Sequence, residues 1–429
     1  MPSRLAALLL IAVAAFAAAR VATPFDAVRP ILEQLAPAEL KSADAAQFAA
    51  WAREKDTAIR ARLEQGDLDS MVNLLMFGTS FTQQPRMTIE NLAAETRAGL
   101  LRARLSDLVA ALNKPGTNGR LMAVRDLLQK RNLVPNSPAT GTFILDNLQR
   151  VLKERVEIGQ KIDAQDSANN AFSARGVSLD TTIFPNFAID SALAELQAKG
   201  RLKAVARAAI LGPGLDFIDK ESGFDYYPLQ TLQPFAVADS LARLKLGTPK
   251  LTILDISPRV RNHIRGATDN ARNRRAYEIQ LPRNMATPWL PGVLDYWKHF
   301  GDALALPAQA IPTPANLANV DTRAVRFPSA TVLTLDTADV NIVSQRLNLP
   351  AAERYDLVVA TNILVYYTPF EQALALANIA SMLEPGGLLL TNDELPTPAS
   401  VPMKLVTRTE VLYTDQPPRG DTVFTYQRY

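Results

Sequence analysis

Residues Tyr355–Asp393, YDLVVATNILVYYTPFEQALALANIASMLEPGGLLLTND, decide the fold. An apolar run, Tyr355–Ala360, ends in the polar pair Thr361-Asn362. Apolar residues then recur at helical spacing as far as Met382. The turn Glu384-Pro385-Gly386-Gly387 follows, and the chain enters the apolar run Leu388-Leu389-Leu390. Strand, helix, turn and strand in that order form the second half of a doubly wound α/β sheet, in which ligands sit beyond the carboxyl ends of the strands.

Such a sheet needs earlier strands. Arg207–Leu211 predicts one, closed by Gly212-Pro213-Gly214-Leu215-Asp216, where glycine lets backbone approach a ligand with no Cβ in the way. Leu251–Leu254 predicts a second, ending in Asp255, the place where an acid hydrogen-bonds ribose hydroxyls in dinucleotide folds. The run Ala330–Leu335 predicts a third, leading to Asp336, with Asp339 as the alternative acid. Between the first two strands a loop, Phe217–Leu232, carries Asp219, Lys220, Glu221, Asp225, Tyr226 and Tyr227 ahead of a helix at Pro234–Leu244.

These elements, with Gly212, Gly214, Asp255, Asp336 and Asn362 at their ends, resemble the class I S-adenosylmethionine (SAM)-dependent methyltransferases. The resemblance implies an α/β fold with a doubly wound, mostly parallel, seven-stranded Rossmann-like sheet over residues 204–429. It implies SAM as cofactor, Asp255 on the ribose, Asp336 on the adenine amino group and Asn362 against the cofactor. The chain departs from the family at Ile210, where the first motif has an acid, and at Asp216, where it has a third glycine. Asp216 or Asp225 is the candidate to supply what Ile210 does not. The phrase Thr361–Tyr367 also resembles the chemotaxis-receptor glutamate methyltransferases, with Thr361 in place of their arginine. That likeness implies Asn362 and Tyr366 near the reacting end. Tyr366 is then the catalytic candidate, orienting an acceptor or facing the sulfonium through cation–π attraction. In-line methyl transfer chiefly needs alignment, and a carboxylate acceptor needs no general base.

With 429 residues the chain exceeds what one core normally serves. A net charge of +3 points to no nucleic-acid partner. The absence of cysteine excludes disulfides and thiolate metal sites, and only His263 and His299 remain for any histidine chemistry, so no metal is expected. Arg4 followed by the apolar run Leu5–Ala19, closing on Ala17-Ala18-Ala19, gives residues 1–22 the form of an export signal or an uncleaved membrane anchor. Export conflicts with SAM, which is made in the cytosol.

Helical periodicity dominates residues 23–203, with helices expected at Pro30–Leu35, Ala45–Gln65, Ile89–Leu108, Gly119–Arg131, Thr142–Ala171 and Asp190–Lys199. An α-helical domain is therefore expected ahead of the sheet. An insertion at 257–327 carries Arg259, Arg261, Arg265, Arg272, Arg274 and Arg275. Arg272 and Arg274 are candidates to grip an anionic acceptor, and Trp297 to shape its pocket. The acceptor, a small molecule or a protein, and the oligomeric state are not legible. Two alternatives remain: a non-catalytic exported protein that keeps the fold for binding or scaffolding, and a nicotinamide-dependent oxidoreductase. Against the second, the third glycine is missing, Asp255 falls far beyond the usual spacing, and no Tyr-x-x-x-Lys dyad is present.

Overall fold

The computed structural model describes residues 18–87, 94–163, 176–177, 181–217 and 223–429. The leader-like run up to Ala17, the start of the Ile89–Leu108 helix, the end of the Thr142–Ala171 helix and the loop residues Asp219, Lys220 and Glu221 lie outside the described residues. No helix among the described residues is long and apolar enough to cross a membrane.

The chain opens with β1 (Arg20–Ala22), α1 (Phe25–Leu35), α2 (Ala45–Phe77), α3 (Ala94–Asn113), α4 (Gly119–Gln129), α5 (Pro138–Asp163) and α6 (Phe184–Ala198). Local chemistry sets several starts. The Asp44 carboxylate accepts from the Ala46 and Gln47 amides while the Gln47 side chain accepts from Asp44 N, a capping box that opens α2. Asn118 caps α4 through the amides of Arg120 and Leu121.

Strands and helices then alternate: β2 (Arg207–Leu211), α7 (Gln233–Arg243), β3 (Lys250–Leu254), α8 (Pro258–Arg272), β4 (Tyr277–Asn284), α9 (Pro291–His299), β5 (Leu306–Ala308), β6 (Val320–Phe327), α10 (Ser329–Val332), β7 (Leu335–Ala338), β8 (Gln345–Leu347), β9 (Tyr355–Ala360), α11 (Pro369–Met382), β10 (Leu383–Thr391), β11 (Met403–Asp415) and β12 (Pro418–Arg428). Thr368 and Glu371 form the capping box of α11, with Pro369 in its first turn.

The main sheet has seven strands in the order β11-β12-β10-β9-β2-β3-β7. Its five consecutive strands β10-β9-β2-β3-β7 are parallel, and the β11–β12 hairpin adds antiparallel to β10. Counted along the chain, the sheet strands run 3-2-1-4-5-7-6, the doubly wound 3-2-1-4-5 order extended by a hairpin. The order reverses between β2 and β9, so the crevice at their carboxyl ends is the expected ligand position.

Side chains alternate between two covered faces. Ala208, Ile210, Leu357 and Val359 join the core with α6, α7 and α8. Ala209, Leu211, Val358 and Ala360 face α1, α2 and α11. That two-sided burial is why β2 and β9 read as unbroken apolar runs. The leading helices divide: Val28, Ile31, Phe48 and Ile59 belong to the sheet's own core, while Met71, Leu74 and Leu75 at the far end of α2 pack with residues of α3, α4 and α5.

One expectation changes. Ala330–Leu335 is not the third strand. Pro328 seeds a helical turn in which the amides of Thr331 and Val332 donate to its carbonyl, burying Val332, and the strand begins only at Leu335. The 257–327 insertion builds a small antiparallel sheet, β4-β6-β5. Arg20–Ala22 pairs with Gln345–Leu347, and Asn348 N donates to Ala19 O.

Candidate functional site

The turn after β2 uses its glycines as the sequence requires. Gly212 and Gly214 have φ of +54° and +71°, left-handed values that glycine adopts without a Cβ penalty. Gly212 N donates to Leu254 O at 3.0 Å, which fixes the turn against β3. A narrow cleft opens there. Its floor is Leu211–Gly214 and Leu254–Ile256, with Val340 and Ile342 along one wall. Ile363 and Tyr367 come from the chain after β9, and Leu63 and Val177 from the leading segment.

Two glycines bring that leading segment in. A Cβ on Gly66 would lie 1.9 Å from Val177 O, and one on Gly176 2.5 Å from Gly66 N. Only this close crossing, with Val177 N donating to Arg62 O, lets Leu63 and Val177 reach the cleft together.

Asp255 is the ionisable carboxylate of the cleft. One carboxylate oxygen accepts from Ser257 N at 2.7 Å, and among the described residues the other oxygen has no protein donor. Burial pushes its carboxyl up to about 7, with the Ser257 amide and Arg261 pulling the other way and Asp339 adding to the rise.

Several candidates fall elsewhere. Asp336 sits near the amino end of β7, opposite Thr252, and lines a polar depression with Arg265, Asp269 and Arg272. The late start of β7 causes this: the acid after its carboxyl end is Asp339. That carboxylate is held by Arg20 at 3.3 Å, Arg60 at 2.9 Å and Arg261 at 3.0 Å. Arg272 is exposed and paired with Asp269 at the last turn of α8. Arg274 follows, exposed and with φ +61°. Because α8 starts at the carboxyl end of β3, its own end returns to the amino side of the sheet, so neither arginine reaches the crevice.

Asn362, exposed with φ +57°, does not line the cleft. Its backbone N donates to Asn392 Oδ1 and its side-chain Oδ1 accepts from Asn392 Nδ2, each at 2.7 Å. A 3₁₀ turn at Leu364–Tyr366 swings Tyr366 outward, where Arg62 lies over its ring at 5.8 Å and donates to its carbonyl. The neighbour Tyr367 is the tyrosine in the cleft, buried, its hydroxyl pushed to higher pKa by that burial.

Asp216 faces a second, small cleft on the other side of the same loop, together with Tyr227, Gln230, Gln280, Trp289 and Trp297. Its Oδ2 accepts from Tyr227 at 2.7 Å and from Gln230 at 2.9 Å. Gln230 and Gln280 are joined through Gln280 N and O, both at 2.8 Å. Trp297, expected at the acceptor pocket, lines this cleft and donates from Nε1 to Leu281 O at 3.1 Å.

The loop between the clefts is anchored to the leading helices. Buried Arg120 donates to the carbonyls of Asp216, Phe217 and Tyr227. Asp225, the other candidate to replace the missing acid, accepts from the amides and hydroxyls of Thr79 and Ser80. It is a structural anchor. Among the described residues no acid and histidine cluster could hold a metal.

No family model matches the chain, and no curated protein does. Similar solved structures include the N-methyltransferase NodS from Bradyrhizobium japonicum WM9 (13% identity, 56% of this chain and 93% of that one, TM-score 0.26). The magnesium protoporphyrin IX methyltransferase ChlM from Synechocystis PCC 6803 with bound SAM is another (13%, 57% and 80%, TM-score 0.27). A third is the CcbJ methyltransferase from Streptomyces caelestis (13%, 57% and 78%, TM-score 0.23). Likenesses this distant add nothing to what the strand order and the two clefts show.

Proposed function

We propose that this chain is a SAM-dependent methyltransferase whose acceptor is a small molecule or a protein side chain. One observation carries the reading: the crevice where the strand order reverses is lined by Gly212, Gly214 and Asp255. The adenosine half of SAM fits the residues present. The oxygen of Asp255 without a protein donor suits the ribose hydroxyls, and Ile256, Val340 and Ile342 offer apolar walls for the adenine. When bound, the cofactor supplies an electrophilic methyl group. This chain's contribution is to orient it through Asp255 and to exclude water with Leu63, Ile363 and Tyr367.

The methionine half fits less well. Among the described residues, the lining holds no charged side chain beyond Asp255 for a zwitterion, and a Cβ at Gly212 would stand 2.3 Å from Ile363 Cδ1. Ile363 must rotate for the amino-acid end to enter. That contact favours a second reading, a non-catalytic protein that keeps the fold for binding. An export or anchoring role for the Leu5–Ala19 run supports the same reading, since it would part the cleft from cytosolic SAM.

Isothermal titration of SAM, S-adenosylhomocysteine and adenosine into the full chain separates the two. Micromolar binding of the first two supports the methyltransferase. Binding of adenosine alone supports the second reading. No binding by a protein shown folded by circular dichroism sinks both uses of the cleft.

A further inference from the structure

We propose that three arginines at the amino end of the sheet, Arg346, Arg354 and Arg428, form a binding site for a phosphate-bearing anion. The site lies at the opposite end of the strands from the crevice, so it stands whether or not the chain binds SAM.

Three separate segments bring these arginines to one corner. Arg354 immediately precedes β9, and Tyr355, the first residue of that strand, lies opposite Leu383 at the start of β10. Arg428, at the end of β12, donates from Nη1 to the Leu383 carbonyl, which sets its guanidinium at the same corner. Arg346 lies in β8, whose next residue, Leu347, donates its amide to Met382 Sδ at 3.3 Å, one residue before Leu383. The charges feel one another. Burial first, and the Arg354 charge second, lowers the pKa of both Arg346 and Arg428.

Like charges gathered this closely need a counter-charge, and the protein gives none. Among the described residues none of the three is in an ion pair. The neighbouring acids are engaged elsewhere or stay in water. Asp356 accepts from the amides of Ala206 and Arg207 at 2.7 and 2.8 Å, Glu384 hydrogen-bonds to Asp356, and Glu353 is exposed. The Nε atoms of Arg354 and Arg428 are buried without an acceptor, although buried donors ordinarily find one. All three residues are half-buried, where long cationic side chains normally carry their charge out to solvent.

Phosphate suits this corner. Guanidinium forks take its oxygens in pairs, and a phosphate monoester brings roughly −1.5 to −2 charge and three acceptor oxygens, where a carboxylate brings a single charge. Two sources can supply the group, a soluble phosphate compound and the headgroup of an anionic lipid. Asn348 N donates to Ala19 O at 2.9 Å, so the chain that carries the apolar Leu5–Ala19 run meets the body two residues from Arg346, which favours the headgroup.

Calorimetric titration of inorganic phosphate into the full chain at low ionic strength should give saturable binding, which Arg354→Gln weakens at least about tenfold. The Arg354 side chain makes no hydrogen bond or ion pair among the described residues, so this variant should hold or raise the melting temperature of the phosphate-free protein. Arg346→Gln repeats the test, and Arg274→Gln, an exposed arginine elsewhere, should leave phosphate affinity unchanged. Cosedimentation with phosphatidylcholine vesicles, with and without phosphatidylglycerol, separates the sources. Binding that needs phosphatidylglycerol and falls in Arg354→Gln supports the headgroup. Arg354-dependent phosphate binding without such vesicle binding supports a soluble ligand. Neither phosphate nor vesicle binding that depends on Arg354, or an equal loss in Arg274→Gln, overturns the proposal.

Discussion

Asp255→Asn should make the protein more stable at neutral pH while damaging the cleft. Burial lifts this carboxyl from 3.8 to about 7. The folded state therefore keeps a proton that the unfolded chain releases near pH ~3.9. Between about pH 4 and 7 the native state binds more protons, so the contribution of this group to stability falls as pH rises through that window and levels off above it. At 1.36 kcal/mol per tenfold, the whole difference amounts to roughly 4 kcal/mol, an upper figure for a group at the edge of a cleft. Asparagine keeps an oxygen for Ser257 N and carries no charge to desolvate. We expect the variant to exceed the wild type by about 2–4 kcal/mol at pH 8 and to match it near pH 4. Urea unfolding across that range measures the difference. His263, whose pKa is lowered to about 4 by burial, titrates in the opposite sense but is common to both proteins and cancels. SAM affinity of the wild type should rise as pH climbs through about 7, because ribose donors favour the ionised carboxylate, and the variant should lose that slope. A stability difference that is flat with pH would refute the reasoning: the carboxyl would then titrate alike in folded and unfolded chains.

Gly212→Ala should destabilise by about 2–3 kcal/mol, from left-handed strain and contact with the Ile363 tip; adding Ile363→Val should recover part of the loss in thermal unfolding, and no recovery refutes that contact. Asp225→Ala removes the acceptor of Thr79 and Ser80 and should cost about 3 kcal/mol. Limited proteolysis should then cut within Phe217–Leu232, and an unchanged digest refutes the anchor. Asp339→Asn breaks the pairs with Arg20, Arg60 and Arg261 and should cost about 1–3 kcal/mol, less in high salt; a loss independent of salt would point to packing instead.

The parallel strands were legible because both of their faces are buried. Arg207–Leu211 and Tyr355–Ala360 need no alternation, so the apolar runs mark them and the glycines and Asp255 mark their ends. The inserted sheet was not legible. β4 and β6 are partly exposed and carry Pro282, Arg283, Arg323 and Arg326, which mask any strand period. The third strand was misplaced for a different reason. Thr331 and Val332 favour strands by propensity, yet Pro328 starts a helical turn and packing of Val332 holds it. Tertiary contact overrode local preference there.

That one displacement explains much of what was missed in the site. Moving the strand start to Leu335 turns Asp336 to the far end of the sheet and makes Asp339 the acid after its carboxyl end. No local reading could then show what Asp339 does, because its arginines come from β1, α2 and α8, far apart in the chain. They meet only where the leading helices cover the sheet. Tyr366 and Tyr367 pose the same problem at short range: both are tyrosines after a strand, and only the 3₁₀ turn puts the second one inward. The glycines stand out in sequence because a left-handed turn demands them locally, and Asp255 because it ends an apolar strand. Leu63, Val177 and Ile363 do not, because an apolar residue that closes a cleft looks, in sequence, like any other residue of the core.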